Sequence, residues 1–152
     1  MKKYTFLFVG FVLLALVLGC NSGPVPLEFG KDGCEFCKMI LMDPKFGCEI
    51  VTDKGRVYKF DDINCMIQYM EEQNLDELGN HQFYIIDYHQ PGHLIDAREA
   101  HYLYAEEIRT PMAARTVAFG DIMLRQKFSV GIENPKFMTW SDIVEYFKKN
   151  MH

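Results

Sequence analysis

Phe46-Gly-Cys48-Glu-Ile-Val-Thr52-Asp53-Lys54-Gly55-Arg56-Val-Tyr-Lys-Phe60-Asp61-Asp62-Ile63-Asn-Cys65-Met66-Ile67-Gln-Tyr-Met70 is a hairpin followed by a helix. Phe46 to Thr52 and Arg56 to Phe60 are rich in β-branched and aromatic residues. Asp53-Lys54-Gly55, a three-residue turn with Gly last, joins them. Asp61 or Asp62 then offers an oxygen to the free amides of a helix start. Ile63, Met66, Ile67 and Met70 recur at i, i+3, i+4 and i+7, which predicts one buried helical face ending near Asn74.

Downstream, Gln82 to Tyr88, His93 to Ala97, His101 to Ala105 and Arg115 to Phe119 read as strands. The turn Gln90-Pro91-Gly92 and the break Thr110-Pro111-Met112 lie between them. Asp121 to Phe128 reads as a short helix stopped by Gly131. Lys136 to Thr139 leads into a last helix with Trp140, Ile143, Val144 and Phe147 on one face. Thr139 and Asp142 form its capping box. Hairpins and helices in this order predict an α+β fold. An internal repeat is visible as well. Phe60-Asp61-Asp62-Ile63 matches Trp140-Ser141-Asp142-Ile143, and Met39 stands before Phe46-Gly47 as Met112 stands before Phe119-Gly120.

Upstream lies Cys34-Glu-Phe-Cys37-Lys38-Met39-Ile-Leu-Met42, two thiols and two thioethers in a segment that Asp43-Pro44 keeps from becoming a long helix. Sulfur donors at this density suit Cu(I), or Zn where thiolates dominate. Cys37 and Met39 make a partial site, Cys34 is placed to join it, and Met42 and Met66 read as core fillers. Three other readings of the Cys34-x-x-Cys37 pair stay open. A redox pair wants its first Cys at a helix start within a βαβ pattern, and here a linker precedes it. A structural zinc site wants a second knuckle, which Cys48 and Cys65 do not form. A plain disulfide suits an oxidising compartment. Cys48 and Cys65 themselves read as a disulfide or as two small buried residues.

The start of the chain gives an address. Lys2-Lys3 precede an apolar run that ends in Val17-Leu18-Gly19-Cys20, the pattern of a secretory signal with a lipid-accepting Cys. Residues 1–19 are thus expected as a lipoprotein signal peptide, Cys20 as the acylated residue, and 20–31, rich in Pro and Gly, as a lipidated tether. A metal-site unit at 32–78 and a repeat unit at 79–152 complete the expected division. The formal charge is −5, and Lys2 and Lys3 are the only charges in the first twenty residues, so the remainder is more acidic still. No basic run appears, which argues against nucleic acid. No nucleophile–base pattern, phosphate-binding loop or zincin motif is present, so the chain is not expected to be an enzyme. The histidines, His81, His89, His93, His101 and His152, read as surface or strand residues.

Taken together, the lipobox, Cys34-x-x-Cys37-x-Met39, the hairpin ending Phe60-Asp61-Asp62, the Cys65-Met66 helix, Asp96-Ala97, Pro111-Met112 and Val117-Ala118-Phe119 resemble the NosL family, accessory lipoproteins of nitrous oxide reductase clusters. The resemblance runs from about Asp32 to Phe147. It implies two similar ββαβ-type units related to the organomercurial lyase fold. It also implies a copper chaperone outside the cytoplasm that passes Cu(I) to nitrous oxide reductase or its maturation machinery. By position, Cys37 and Met39 correspond to the family's Cu(I) ligands, with Cys34 as an additional thiol. Lys38 stands where Gly is usual in the family, and Cys48 where a small residue is common. The alternatives are a thiol-disulfide oxidoreductase using Cys34 and Cys37, and a structural lipoprotein with a Cys34–Cys37 disulfide.

Overall fold

Two hairpins begin two sheets. In the computed structural model, which describes residues 23–75 and 79–150, β1 (Cys48–Val51) pairs antiparallel with β2 (Val57–Phe60), Cys48 facing Phe60. Gly55, at φ 76°, takes the left-handed position that closes the turn. β2 runs into α1 (Ile63–Glu72). The chain returns as β3 (Gln82–Ile86) on the free side of β1, and β4 (Leu94–Asp96) adds to β3, giving the order β2-β1-β3-β4. The second sheet holds β5 (His101–Tyr104), β6 (Thr116–Phe119) and β7 (Lys136–Met138) in the order β6-β5-β7. α2 (Ile122–Ser129) lies between β6 and β7, and α3 (Trp140–Lys149) ends the fold.

The expected α+β architecture is therefore present, and so is the ββαβ repeat. In both units the first strand is central, the second flanks it on one side, and the strand after the helix flanks it on the other. The register of the repeat differs from the expected one. Phe60-Asp61-Asp62-Ile63 corresponds to Phe119-Gly120-Asp121-Ile122, each a strand end, a spacer, an N-cap and the first helical residue. Trp140 instead opens α3, an addition after the second unit. The expected boundary at 78/79 falls inside the first unit, because β3 and β4 complete the first sheet.

Both predicted helix faces are buried. Ile63, Met66, Ile67 and Met70 on α1, and Trp140, Ile143, Val144 and Phe147 on α3, join one core. Each such side chain contributes roughly 1.5–3 kcal/mol when fully buried. Trp140 spans the two units, with its ring 5.4 Å from Phe83 and 6.5 Å from Tyr102. α3 packs against α1, and its capping box forms as read. A smaller cluster built on Leu103, Val117 and Phe119 lies under α2, itself without a buried residue.

The expected tether is partly structural. Leu27 is buried, and its Cδ1 occupies the space where a Cβ on Gly47 would stand, 2.6 Å away. Val25 N–H donates to Glu49 Oε1 at 2.8 Å. An apolar residue that finds a vacant seat on the sheet docks the segment, whatever its Pro and Gly content. The expected signal peptide 1–19, Cys20 and the first tether residues lie outside the described residues.

Candidate metal centre

The segment from Cys34 to Met39 is a tight loop tied to its own return. Cys34 N–H donates to Met39 O at 2.7 Å and Lys38 N–H to Cys34 O at 3.0 Å. A bridge between Gly33 and Ile40 closes the base. Leu41 N–H reaches Asp32 O at 2.9 Å, and Leu41 is wholly buried as the loop's apolar anchor. The turn requires φ 63° at Lys38, a left-handed conformation that favours glycine. That geometry accounts for the glycine implied at this position by the family resemblance.

Two further bonds fasten the loop to the sheet. Glu35 N–H donates to Lys59 O at 2.8 Å, and Lys59 Nζ pairs with Asp32 Oδ2 at 2.6 Å. The loop thereby lies over the end of β2 and the start of α1. Asp62 fixes that helix start, its Oδ1 accepting from Asn64 N at 2.8 Å and Cys65 N at 3.4 Å. Its Oδ2 accepts from Thr110 Oγ1 at 3.0 Å and Met112 N at 2.9 Å, so one carboxylate also holds the Thr110-Pro111-Met112 break against α1.

These constraints bring Cys34, Cys37 and Cys65 together, with their sulfur atoms all within 4.8 Å of one another. Sequence reasoning missed Cys65. It lies off the apolar stripe of α1 and is nevertheless fully buried, because the sulfur loop covers it. The available signal was its position three residues after the N-cap, where a side chain sits beside the helix start and whatever packs over it. Among the described residues the four cysteines are free thiols. Cys48 is fully buried beneath the site but outside the cluster.

The three thiols divide their roles. The Cys65 thiol donates to Cys34, as do the backbone N–H groups of Asp61 and Cys37, and together these bring the Cys34 thiol down to about 5 against the opposing effect of burial. Cys65, whose proton is shared with that thiolate, is pushed upward. Burial first, and then the Cys34 thiolate, push Cys37 upward. Burial, with Asp62 and the Cys34 thiolate nearby, pushes Asp61 to about 6. The arrangement therefore favours the thiolate form at the sealed Cys34 and the protonated form at the half-buried Cys37 on its edge. Met39 is 57% exposed on the rim. Met42, expected as core, is 69% exposed, because the loop anchors through Leu41 and turns its neighbours outward. Met66 is core, as read.

The family model NosL matches residues 24–145. Among solved structures, the fold is similar to that in the crystal structure of the copper chaperone NosL from Shewanella denitrificans. The TM-score is 0.67 at 14% identity, covering 80% of this chain and 95% of that one. At that identity the likeness is one of fold. Among curated protein sequences no match is found.

Proposed function

Since the chain belongs to the NosL family, whose model spans residues 24–145, we propose that it is a copper chaperone that carries Cu(I) outside the cytoplasm. The observation that carries this reading is the cluster of three sulfur atoms within 4.8 Å, one of them favoured as thiolate. Soft donors in low number suit Cu(I). The proposed ligands are Cys34, Cys37 and Cys65, with Met39 as a thioether at the entrance.

Exposure and protonation give the set a direction. Cys34 and Cys65 are buried, whereas Cys37 is half-buried and Met39 stands in solvent. An incoming thiolate or thioether from a partner meets Met39 and Cys37 first. Cys37, whose thiol is pushed upward, takes back a proton as it lets go. The ion then passes by ligand exchange, one sulfur replacing another with no change of oxidation state. The resemblance names the recipient as nitrous oxide reductase or its maturation machinery. A diacyl chain on Cys20 would hold the domain at a membrane surface.

The thiol-disulfide reading fits the same site less well. An attacking thiol has to be both deprotonated and accessible. Here the thiol favoured as thiolate, Cys34, is 1% exposed, and the accessible Cys37 is pushed upward.

Titration of the reduced protein with Cu(I) against a competing chelator tests the proposal. Replacing Cys34 or Cys37 by Ser, or Cys65 by Ala, is expected to lower affinity by more than about a hundredfold, beyond what outer-shell losses cost. Met39→Leu is expected to cost less than any of these. A Cys65→Ala protein that binds like the parent would remove Cys65 from the set, and a parent that does not compete at all would end the copper reading. Transfer from the loaded protein to copper-free nitrous oxide reductase, followed by its visible spectrum, tests the recipient. Fatty-acid labelling lost on Cys20→Ser tests the anchor.

A further inference from the structure

The second unit repeats the geometry of the sulfur site without its sulfur. β6 ends at Phe119, Asp121 caps α2, and Leu124 is its third residue, where the first unit has Phe60, Asp62 and Cys65. The opposing strand positions also match, with Cys48 facing Phe60 and His101 facing Phe119. At the Leu124 position the molecule opens a cleft of about 560 Å³. Its floor is Leu124 with Tyr88, Phe119 and Phe128. Tyr88 lies 5.9 Å from Phe119 and 5.1 Å from Phe128, centroid to centroid, edge to face with both at 67° and 64°, so the rings form an apolar corner.

The charged groups around that floor have one sign. Lys45, Lys127 and His89 line the cleft, and no carboxylate does. Lys45 Nζ stands 5.4 Å from the Tyr88 ring centroid. Among the described residues neither ammonium is in an ion pair with a carboxylate. In a chain of net charge −5, two lysines without a carboxylate partner meeting over an aromatic floor are a local reversal of sign. The volume falls within the roughly 300–1,000 Å³ usual for small-molecule sites, which combine an apolar lining with a few convergent polar groups.

We infer that this cleft is a second binding site, for a compact organic anion with a flat apolar body, of the aryl carboxylate or aryl sulfonate class. The body packs against Tyr88, Phe128 and Leu124, above the buried Phe119, and the anionic group lies between Lys45 and Lys127. The site is independent of copper, since none of its lining residues belongs to the sulfur cluster.

Two dyes that differ chiefly in a sulfonate test this on the full chain: 8-anilinonaphthalene-1-sulfonate and the neutral N-phenyl-1-naphthylamine. The sulfonate is expected to bind one-to-one by calorimetry, with a rise in fluorescence that benzoate-type anions compete away. Lys45→Glu/Lys127→Glu should weaken it by about tenfold or more, as for a lost hydrogen bond to a charged group. The neutral dye should be unaffected by that pair, and Leu124→Trp, which fills the floor, should exclude both dyes. If the charge-reversed protein fails to fold, Lys45→Gln/Lys127→Gln gives the same readout without repulsion. Equal binding of the two dyes, sulfonate binding unchanged in the lysine variants, or displacement only by anionic vesicles would each overturn the inference. The last of these would reassign the surface to a membrane.

Discussion

The two ββαβ units share a strand order and a capped helix start, yet they have invested in different things. In the first, α1 is buried beneath α3 and its start is covered by the sulfur loop, so the space over the N-cap is sealed and holds thiols. In the second, none of the residues of α2 is buried, nothing equivalent to α3 covers it among the described residues, and the same place opens into an aromatic cleft. A duplicated scaffold thus specialises through what packs over one helix terminus. The strands that hold that terminus in place stay the same.

The strongest way to break this comparison is to remove the two caps. Asp62 accepts four hydrogen bonds, two within α1 and two from Thr110 and Met112. Asp121 accepts one, from Met123 N at 2.7 Å. Asp62→Ala strips a cap and leaves buried donors unsatisfied, so a loss of roughly 3 kcal/mol or more is expected. Asp121→Ala is expected to cost about 1 kcal/mol, the ordinary worth of a cap. Urea unfolding of both variants measures the difference. Equal losses would mean that Asp62 does not join the two units.

A smaller effect separates the central strands. Glu49 on β1 and Tyr102 on β5 occupy the same register position, one beyond the Cys48–Phe60 and His101–Phe119 pairs. Both are buried, but Tyr102 donates its hydroxyl to Ala97 O at 2.5 Å, while Glu49 Oε2 has no partner among the described residues. Burial pushes the Glu49 carboxyl above its ordinary 4.5. The folded protein therefore holds this proton more tightly than the unfolded chain does. The stability it contributes is present below pH 4.5 and is lost as pH rises through the raised value. Glu49→Gln should remove that slope, so that the variant gains on the parent between pH 4 and 8 and is nearly equal to it in acid (about one proton's linkage). Unfolding midpoints across that range provide the check, and a gain that appears only in acid would reverse the assignment.

Much of this arrangement was legible beforehand, for identifiable reasons. The faces of α1 and α3 repeat at helical spacing, and Thr139 and Asp142 announce a cap, so local chemistry sufficed. The repeat is visible in the sequence, but residue pattern alone pairs Phe60-Asp61-Asp62-Ile63 with Trp140-Ser141-Asp142-Ile143. Both open strongly amphipathic helices, whereas the true counterpart, Phe119-Gly120-Asp121-Ile122, opens one with no buried face. Of the three clustered thiols, Cys34 and Cys37 were marked by their spacing. Cys65 was hidden because it is joined to them by the fold, through a loop docked on β2, and its place three residues after the N-cap is a weak signal beside the apolar stripe of α1. Met42 misled for the opposite reason. Its apolar character is real, but the buried anchor at that point is its neighbour Leu41.

The finest contrast lies between two left-handed turns. The turn that joins β3 to β4 passes through Gly92 at φ 83°, whereas the sulfur loop turns through Lys38 at φ 63°. A side chain in that conformation costs about 1–2 kcal/mol, and glycine recovers this at an entropic cost of about 0.5–1 kcal/mol. Against the change stands the Lys38 ammonium, which bonds to Glu35 O and lies 3.5 Å from Glu35 Oε1. Both groups are largely exposed, so that pair is worth about 0–1 kcal/mol. Lys38→Gly is therefore expected to stabilise the protein by about 0.25 kcal/mol at the middle of these opposing ranges, and by no more than about 1.5 kcal/mol. A loss larger than about 1 kcal/mol in urea unfolding, beyond the reach of an exposed pair, would mean that the ammonium clamps the loop shut over the thiols. The lysine would then be part of how the site is held closed, and the contrast between the two turns would be functional as well as conformational.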